Sequence, residues 1–162
     1  MTETINDDSR EYLTFSLDNE LYAIDVFKVR EVMEITKIMK VPNMNDYFRG
    51  VINLRGKVIP VADLRIKFNL NLVSDHNDES IVVIEMNFDD VVVGLLVDSV
   101  QEVINIMPAQ IEPAPKFGHR LSAEFIEGIG KKDEDFIIIL NIENIFSQEA
   151  ILVKKRPEKT GT

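Results

Sequence analysis

The feature that most constrains this chain is that it repeats itself. Ala23-Ile24-Asp25-Val26-Phe27-Lys28-Val29-Arg30-Glu31-Val32 aligns with Gly94-Leu95-Leu96-Val97-Asp98-Ser99-Val100-Gln101-Glu102-Val103, so that small, apolar, Val, Val, Glu and Val fall at equivalent places. Further along, Gly50-Val51, Val58-Ile59 and Asp63-Leu64 are echoed by Gly128-Ile129, Ile138-Ile139 and Asn141-Ile142. Both matches shift by about half the chain, and self-similarity of that kind restricts the fold to two like units. The polar stretch Ser74-Asp75-His76-Asn77-Asp78-Glu79 is the natural divider.

Within each unit the chain reads as short apolar or alternating runs separated by polar turns, the pattern of an all-β protein. Tyr12 to Leu17 alternates, turns at Asp18-Asn19-Glu20 and returns through Leu21 to Ile24. Three more hairpins turn on Arg55-Gly56-Lys57, Asp89-Asp90 and Asp133-Glu134-Asp135, each of a composition suited to a tight turn. Roughly five strands per unit are too few for an open sheet with two wet faces, so closure into small barrels that remove free edges is the expected solution. Val91 to Val97 and Phe136 to Leu140 are apolar throughout, which predicts that one face fills a barrel and the other a seam between barrels. The expected architecture is two small five-stranded β-barrels side by side, one over about residues 12–73 and the other over about 80–146, with short connecting helices. Residues 1–10 are read as a flexible terminus, and 147–162 as a short, partly basic helix that frays past Pro157. Gly50, Gly56 and Gly94 are read as structural turn positions.

Composition narrows the function. Cysteine is absent from the 162 residues, so neither a disulfide framework nor a thiolate metal site is available. No run approaches a membrane span, and Met1 to Arg10 lacks the apolar core of a signal peptide, so neither export nor membrane insertion is expected. The net charge is −10, and residues 73–162 carry eight Lys/Arg against seventeen Asp/Glu. A balance of that sign disfavours phosphate backbones and anionic lipid, so nucleic acid is not an expected partner.

At Gly50-Val51-Ile52-Asn53-Leu54-Arg55-Gly56-Lys57-Val58-Ile59-Pro60-Val61-Ala62-Asp63-Leu64-Arg65 the chain resembles the central signature of the CheW family of chemotaxis coupling proteins. The resemblance extends through Tyr12 to Phe15, Tyr22 to Glu31, Val92 to Asp98, Ile111 to Pro115 and Leu140 to Ile142, nearly the whole chain in order. It implies a single CheW-like domain of two SH3-like barrels. Related domains form the regulatory end of the CheA kinase and the front of CheV, but this chain has space for neither a kinase nor a receiver domain.

The resemblance further implies a cytoplasmic adaptor without enzymatic activity or cofactor. Such an adaptor ties the cytoplasmic tips of chemoreceptors to the regulatory domain of the CheA histidine kinase within larger receptor-kinase arrays, in a flagellar or a pilus-linked pathway. Arg55 stands at a hairpin turn, where its planar donor fork suits carboxylates or carbonyls on a receptor helix; a solvated turn arginine is the plainer reading. Glu31 is placed either to pair with Arg55 or to present a carboxylate to a partner. Val29, Val82 and Val103 resemble the family's apolar receptor groove between the barrels, and internal packing competes for all three. For the kinase, the expected surface is Val32, Ile35 and Ile38 with Ile81 and Val83.

Catalytic readings fare worse. His76 and His119 lie far apart in polar loops, a poor zinc pair without cysteine. Asp75 to Glu79 lacks the glycine and distal glutamate of a calcium loop. A hydrolase using Asp75 and Asp78 is the alternative from another class. Gly128-Ile129-Gly130-Lys131-Lys132 lacks P-loop spacing, and hairpin glycines account for it more simply.

Overall fold

The computed structural model describes residues 9–72, 78–86, 91–114 and 123–146. Among the described residues eleven strands run in chain order: β1 (Arg10–Leu17), β2 (Glu20–Asp25), β3 (Val29–Glu34), β4 (Phe48–Leu54), β5 (Lys57–Asp63), β6 (Ser80–Glu85), β7 (Val92–Val97), β8 (Ser99–Ile106), β9 (Ile111–Glu112), β10 (Ile126–Lys132) and β11 (Asp135–Leu140). Two short helices, α1 (Leu64–Lys67) and α2 (Ile142–Ile145), follow β5 and β11. Arg10, expected in the N-terminal arm, pairs in β1, and the rest of that arm up to residue 8 lies outside the described residues. The helix expected over 147–162 and the turn at Asp89-Asp90 lie outside the described residues.

The strands form a six-stranded sheet, β8-β1-β2-β11-β10-β9, and a five-stranded sheet, β3-β6-β7-β5-β4. The duplication is therefore present, but the expected division into one barrel per half is not. Hairpin β1–β2 joins β8, β10 and β11 from the other half, and hairpin β6–β7 joins β3, β4 and β5. Each half lends its leading hairpin to the other half's barrel. The chain changes sheets at two crossovers, the 3-10 turn Val26–Lys28 and Asp98. Hydrophobic pattern alone is blind to this exchange, because a strand's alternation records which faces are buried and not which neighbour it pairs with.

Matching details run through both sheets. The parallel pair Ala23↔Ile139 of β2–β11 corresponds to Gly94↔Val61 of β7–β5. Hairpin pairs Leu54↔Lys57 and Lys132↔Asp135 correspond, which sets Val58 opposite Phe136 in the repeat and not Ile138. Asp63 and Asn141 both cap the helix that follows. Each sheet curls toward closure when the chain beyond its first edge strand returns to the far edge: Met39 bridges Val51 on β4, and β9 pairs with β10.

Two of the three turn assignments are corrected. Only Gly56 sits in a turn, where Arg55 (φ 53°) and Gly56 (φ 87°) make the two-residue loop, both in the left-handed region that primed hairpin turns require. Gly50 lies in β4 at a register shift, with φ 141°, and a Cβ there would stand 2.1 Å from the Met39 carbonyl oxygen. Its role is to let the closing segment approach. Gly94 lies inside β7, where a Cβ would meet Ile81 Cγ2 at 2.8 Å. Gly128 and Gly130 are likewise interior to β10, ahead of the turn at Asp133.

The largest buried cluster lies between the sheets, uniting Leu13, Phe15, Leu17, Tyr22 and Ile24 with Val82, Ile84, Val93, Leu95 and Val97. Two smaller clusters fill the barrels: Tyr12, Ala23, Ile104, Ile106, Ile137 and Ile139 in one, and Ile52, Ile59, Val61, Ile81, Val83 and Leu96 in the other. The two-faced burial expected of β7 and β11 is what the structure shows except at Phe136, which stands exposed at the turn end of β11. Full burial of each such side chain contributes about 1.5–3 kcal/mol before entropy is counted, so the seam holds the barrels as one body. At its far end Tyr47 packs on Phe146 and Phe68 on Phe125, ring centroids 6.1 and 6.0 Å apart, as repeat-equivalent pairs. Lys67 Nζ lies over Tyr47 and Phe125, and burial there pushes the ammonium pKa down.

Candidate docking site at the seam

In an antiparallel pair, directly opposed residues project to the same face. Val29 opposes Ile84 and Val32 opposes Val82; Val103 opposes Leu13 and Val100 opposes Phe15. All four partners belong to the seam core. Val29 and Val32 on β3, with Val100 and Val103 on β8, therefore form the rim where that core reaches the surface. Val29 and Val100 pack partly against it, while Val32 and Val103 stay 43% and 49% exposed. An open depression of about 550 Å³ continues between the strands, lined by Glu34, Ile35, Ser80, Ser99, Val100 and Gln101 with Asp78 and Glu79.

This arrangement redraws the expected contact residues. Val82, expected in the receptor groove, is fully buried, as are Ile81 and Val83, expected to meet the kinase. Strand β6 is covered on both edges by β3 and β7 and on both faces by core, so none of the three can touch a partner. Ile35 remains exposed, and Ile38 is partly buried against the second barrel's interior. Val32 and Val103, expected to serve different partners, are equivalents in the repeat. Val100 was missed, although the duplication already aligns it with Val29.

Glu31 lies in β3 between Val29 and Val32, and the expected pairing with Arg55 forms. Arg55 Nη1 donates to Glu31 Oε1 at 2.7 Å and Nη2 to Oε2 at 3.4 Å. The guanidinium is 72% exposed. Hydrogen bonding from Arg55 holds the Glu31 carboxyl below the usual carboxylate range and raises the arginine in return. A lowered folded-state pKa means that the pair favours folding above the ordinary carboxylate pKa, and that this contribution fades as pH falls through the lowered value. The solvent around the arginine keeps it small. In an NMR titration the Glu31 carboxyl is expected to protonate at lower pH than other exposed glutamates, and Arg55→Ala should return it to the ordinary range. An unchanged midpoint in that variant would contradict the pairing in solution.

Behind the rim sits a group that sequence reading left unremarked. Arg65 is buried, its Nε 2.9 Å from Asp63 Oδ1, Nη2 3.0 Å from Asp63 Oδ2, and Nη1 2.8 Å from Glu79 and 2.7 Å from Asp98. Asp63 also caps α1 and accepts from Arg49 at 2.7 Å, and Asp98 accepts from the Asp18 backbone at 2.7 Å. Burial by itself would lower the Arg65 pKa; hydrogen bonds to Asp63, Glu79 and Asp98 outweigh it and raise the pKa above that of free arginine. One side chain thus ties α1, the second crossover and the β1–β2 turn. The repeat gave no signal of this burial, since Glu143 stands at the position equivalent to Arg65, as an unconstrained surface site would allow.

Among the described residues no three His, Cys, Asp or Glu side chains are grouped to hold a metal ion. Asp75, His76 and His119 lie outside the described residues. No described helix is long and apolar enough to cross a membrane.

Two reciprocally built barrels, a packed seam and an apolar rim with a charged pair define a protein that works by contact, a scaffold class. The chain belongs to the CheW family: the CheW-like domain matches residues 11–150. It is 41% identical over 140 residues to a chemotaxis protein CheW of Klebsiella aerogenes, covering 86% of this chain and 83% of that one. A chemotaxis protein CheW of Thermotoga maritima is 35% identical over 148 residues, covering 90% and 91%. The crystal structure of the scaffolding protein TtCheW from Thermoanaerobacter tengcongensis superposes with a TM-score of 0.78 at 38% identity, covering 87% of this chain and 94% of that one. The family's members are chemotaxis scaffolds and not enzymes, and its two SH3-like barrels are the fold described above.

Proposed function

We propose that this protein couples chemoreceptors to the CheA histidine kinase, in the cytoplasm and within membrane-associated receptor arrays. The observation that carries the reading is the apolar rim of the seam, Val29, Val32, Val100 and Val103, with the Arg55–Glu31 pair on the opposite face of the same strand β3. A receptor tip is a helical hairpin, and an apolar strip edged by charge is the surface on which an amphipathic helix docks. Val29, Val103, Glu31 and Arg55 take the receptor, with Val32 and Val100 extending the strip. The CheA regulatory domain engages the neighbouring surface around Ile35 and Ile38.

Pull-down with purified receptor signalling fragments and with the CheA regulatory domain tests the reading, and failure to retain either sinks it. Arg55→Ala is expected to weaken retention while changing unfolding free energy by no more than about 0.5 kcal/mol. Lost folding, or unchanged retention of both partners, would contradict the assignment.

A further inference from the structure

The depression at the Glu34 end of the rim has a repeat-equivalent at the other end. The alignment that sets Val29 against Val100 and Val32 against Val103 also sets Glu34 against Asn105 and Phe27 against Asp98. Glu34 opposes Ser80 as Asn105 opposes Glu11, so each lies two residues beyond a rim valine, on the face that carries the rim. Asp78 and Glu79 precede Ser80 as Ser9 and Arg10 precede Glu11. Around Ser9, Arg10, Glu11, Phe27 and Asn105 lies a second open hollow, of about 660 Å³.

The two hollows match in position and differ in chemistry. Glu34, Asp78 and Glu79 place three carboxylates on the first. Glu79 is held by Arg65, whereas among the described residues Glu34 and Asp78 make no ion pair. In the second, Arg10 and Glu11 cancel in formal charge. Phe27 stands there 88% exposed, on a turn fixed by its backbone N–H donating to Asp25 Oδ1 at 2.9 Å, while its equivalent Asp98 is turned inward to Arg65.

A strip built from equivalent valines offers a helix two opposite directions with like contacts, and only what differs between its ends can choose one. Resting on the reading of the seam as the receptor's docking strip, we propose that the two hollows fix the direction of the docked helix. A basic side chain of the helix enters the hollow of Glu34 and Asp78, and an apolar side chain toward the helix's other end packs on Phe27. The carboxylates complement the basic group, and the helix itself is the cover for an otherwise bare aromatic ring.

The affinity of the full-length chain for a purified receptor signalling fragment, measured by calorimetry at low and high salt, tests it. Glu34→Lys is expected to weaken binding about tenfold or more at low salt and less at high salt. The same charge at the repeat-equivalent position, Asn105→Lys, should change it by less than about twofold. Phe27→Ser should weaken binding about tenfold at both salt concentrations. All three side chains are exposed, so the thermal melt should stay that of wild type. Among receptor fragments with single basic residues changed to glutamate, one should lose binding to wild type and recover it with Glu34→Lys. A wild type that does not bind the fragment sinks the docking reading and this proposal with it. Binding that withstands Glu34→Lys or Phe27→Ser, suffers equally from Asn105→Lys, or shows no compensating reversal overturns the assigned direction alone.

Discussion

Arg65→Met is expected to lower the unfolding free energy by about 3–5 kcal/mol, the usual cost of removing one partner from a buried charge cluster. Methionine fills much of the volume, so the loss reports charge. Asp63, Glu79 and Asp98 would remain turned inward without the guanidinium that lies between them. For a chain of this size the melting temperature should fall by on the order of 10 °C. Urea unfolding of the variant beside wild type measures it, with the denaturant slope as a check that both states remain comparable. A loss under about 1 kcal/mol would mean that the three carboxylates find other partners or water, and that the network does not hold the crossover in place.

Gly50→Ala is expected to be as damaging through sterics alone. The added methyl would sit 2.1 Å from a backbone oxygen, which cannot rotate away, and φ 141° is a conformation that side chains rarely adopt. Strain of this kind together with displacement of the closing segment should cost about 3 kcal/mol or more. Gly56→Ala is the paired control: φ is 87°, but no atom lies within 4 Å of the new methyl, so only the backbone term remains, about 1–2 kcal/mol. Equal losses at the two sites would show that the bulge in β4 yields to the intruding methyl.

The hairpins and the duplication were legible because they are local: Asp18-Asn19 and Arg55-Gly56 announce their turns, and the repeat survives as aligned residues. The two-sided burial of β7 and β11 was legible from continuous apolar runs. The same signal stood in Ile81-Val82-Val83-Ile84, where the family resemblance drew three buried residues toward the surface. Strand exchange was not legible, since Leu13 looks alike whether it pairs with β8 or with a strand of its own half. Arg65 escaped for a different reason. Charged residues default to the surface, and only the convergence of three distant carboxylates makes its burial tolerable. Of the docking site, Arg55 and Glu31 could be paired in advance from their positions, whereas the rim needed the register of β3 and β8.

Reciprocal lending of hairpins also sets the order of events during synthesis. Strand β1 must wait for β8, and β2 for β11, so the leading hairpin emerges from the ribosome with one apolar face uncovered and no partner yet translated. Long-range pairing of this kind folds slowly and leaves strand edges open meanwhile. For this protein the vulnerable interval is the time taken to translate the second repeat, when Phe15, Leu17 and Ile24 still lack Val82, Val93 and Leu95 across the seam.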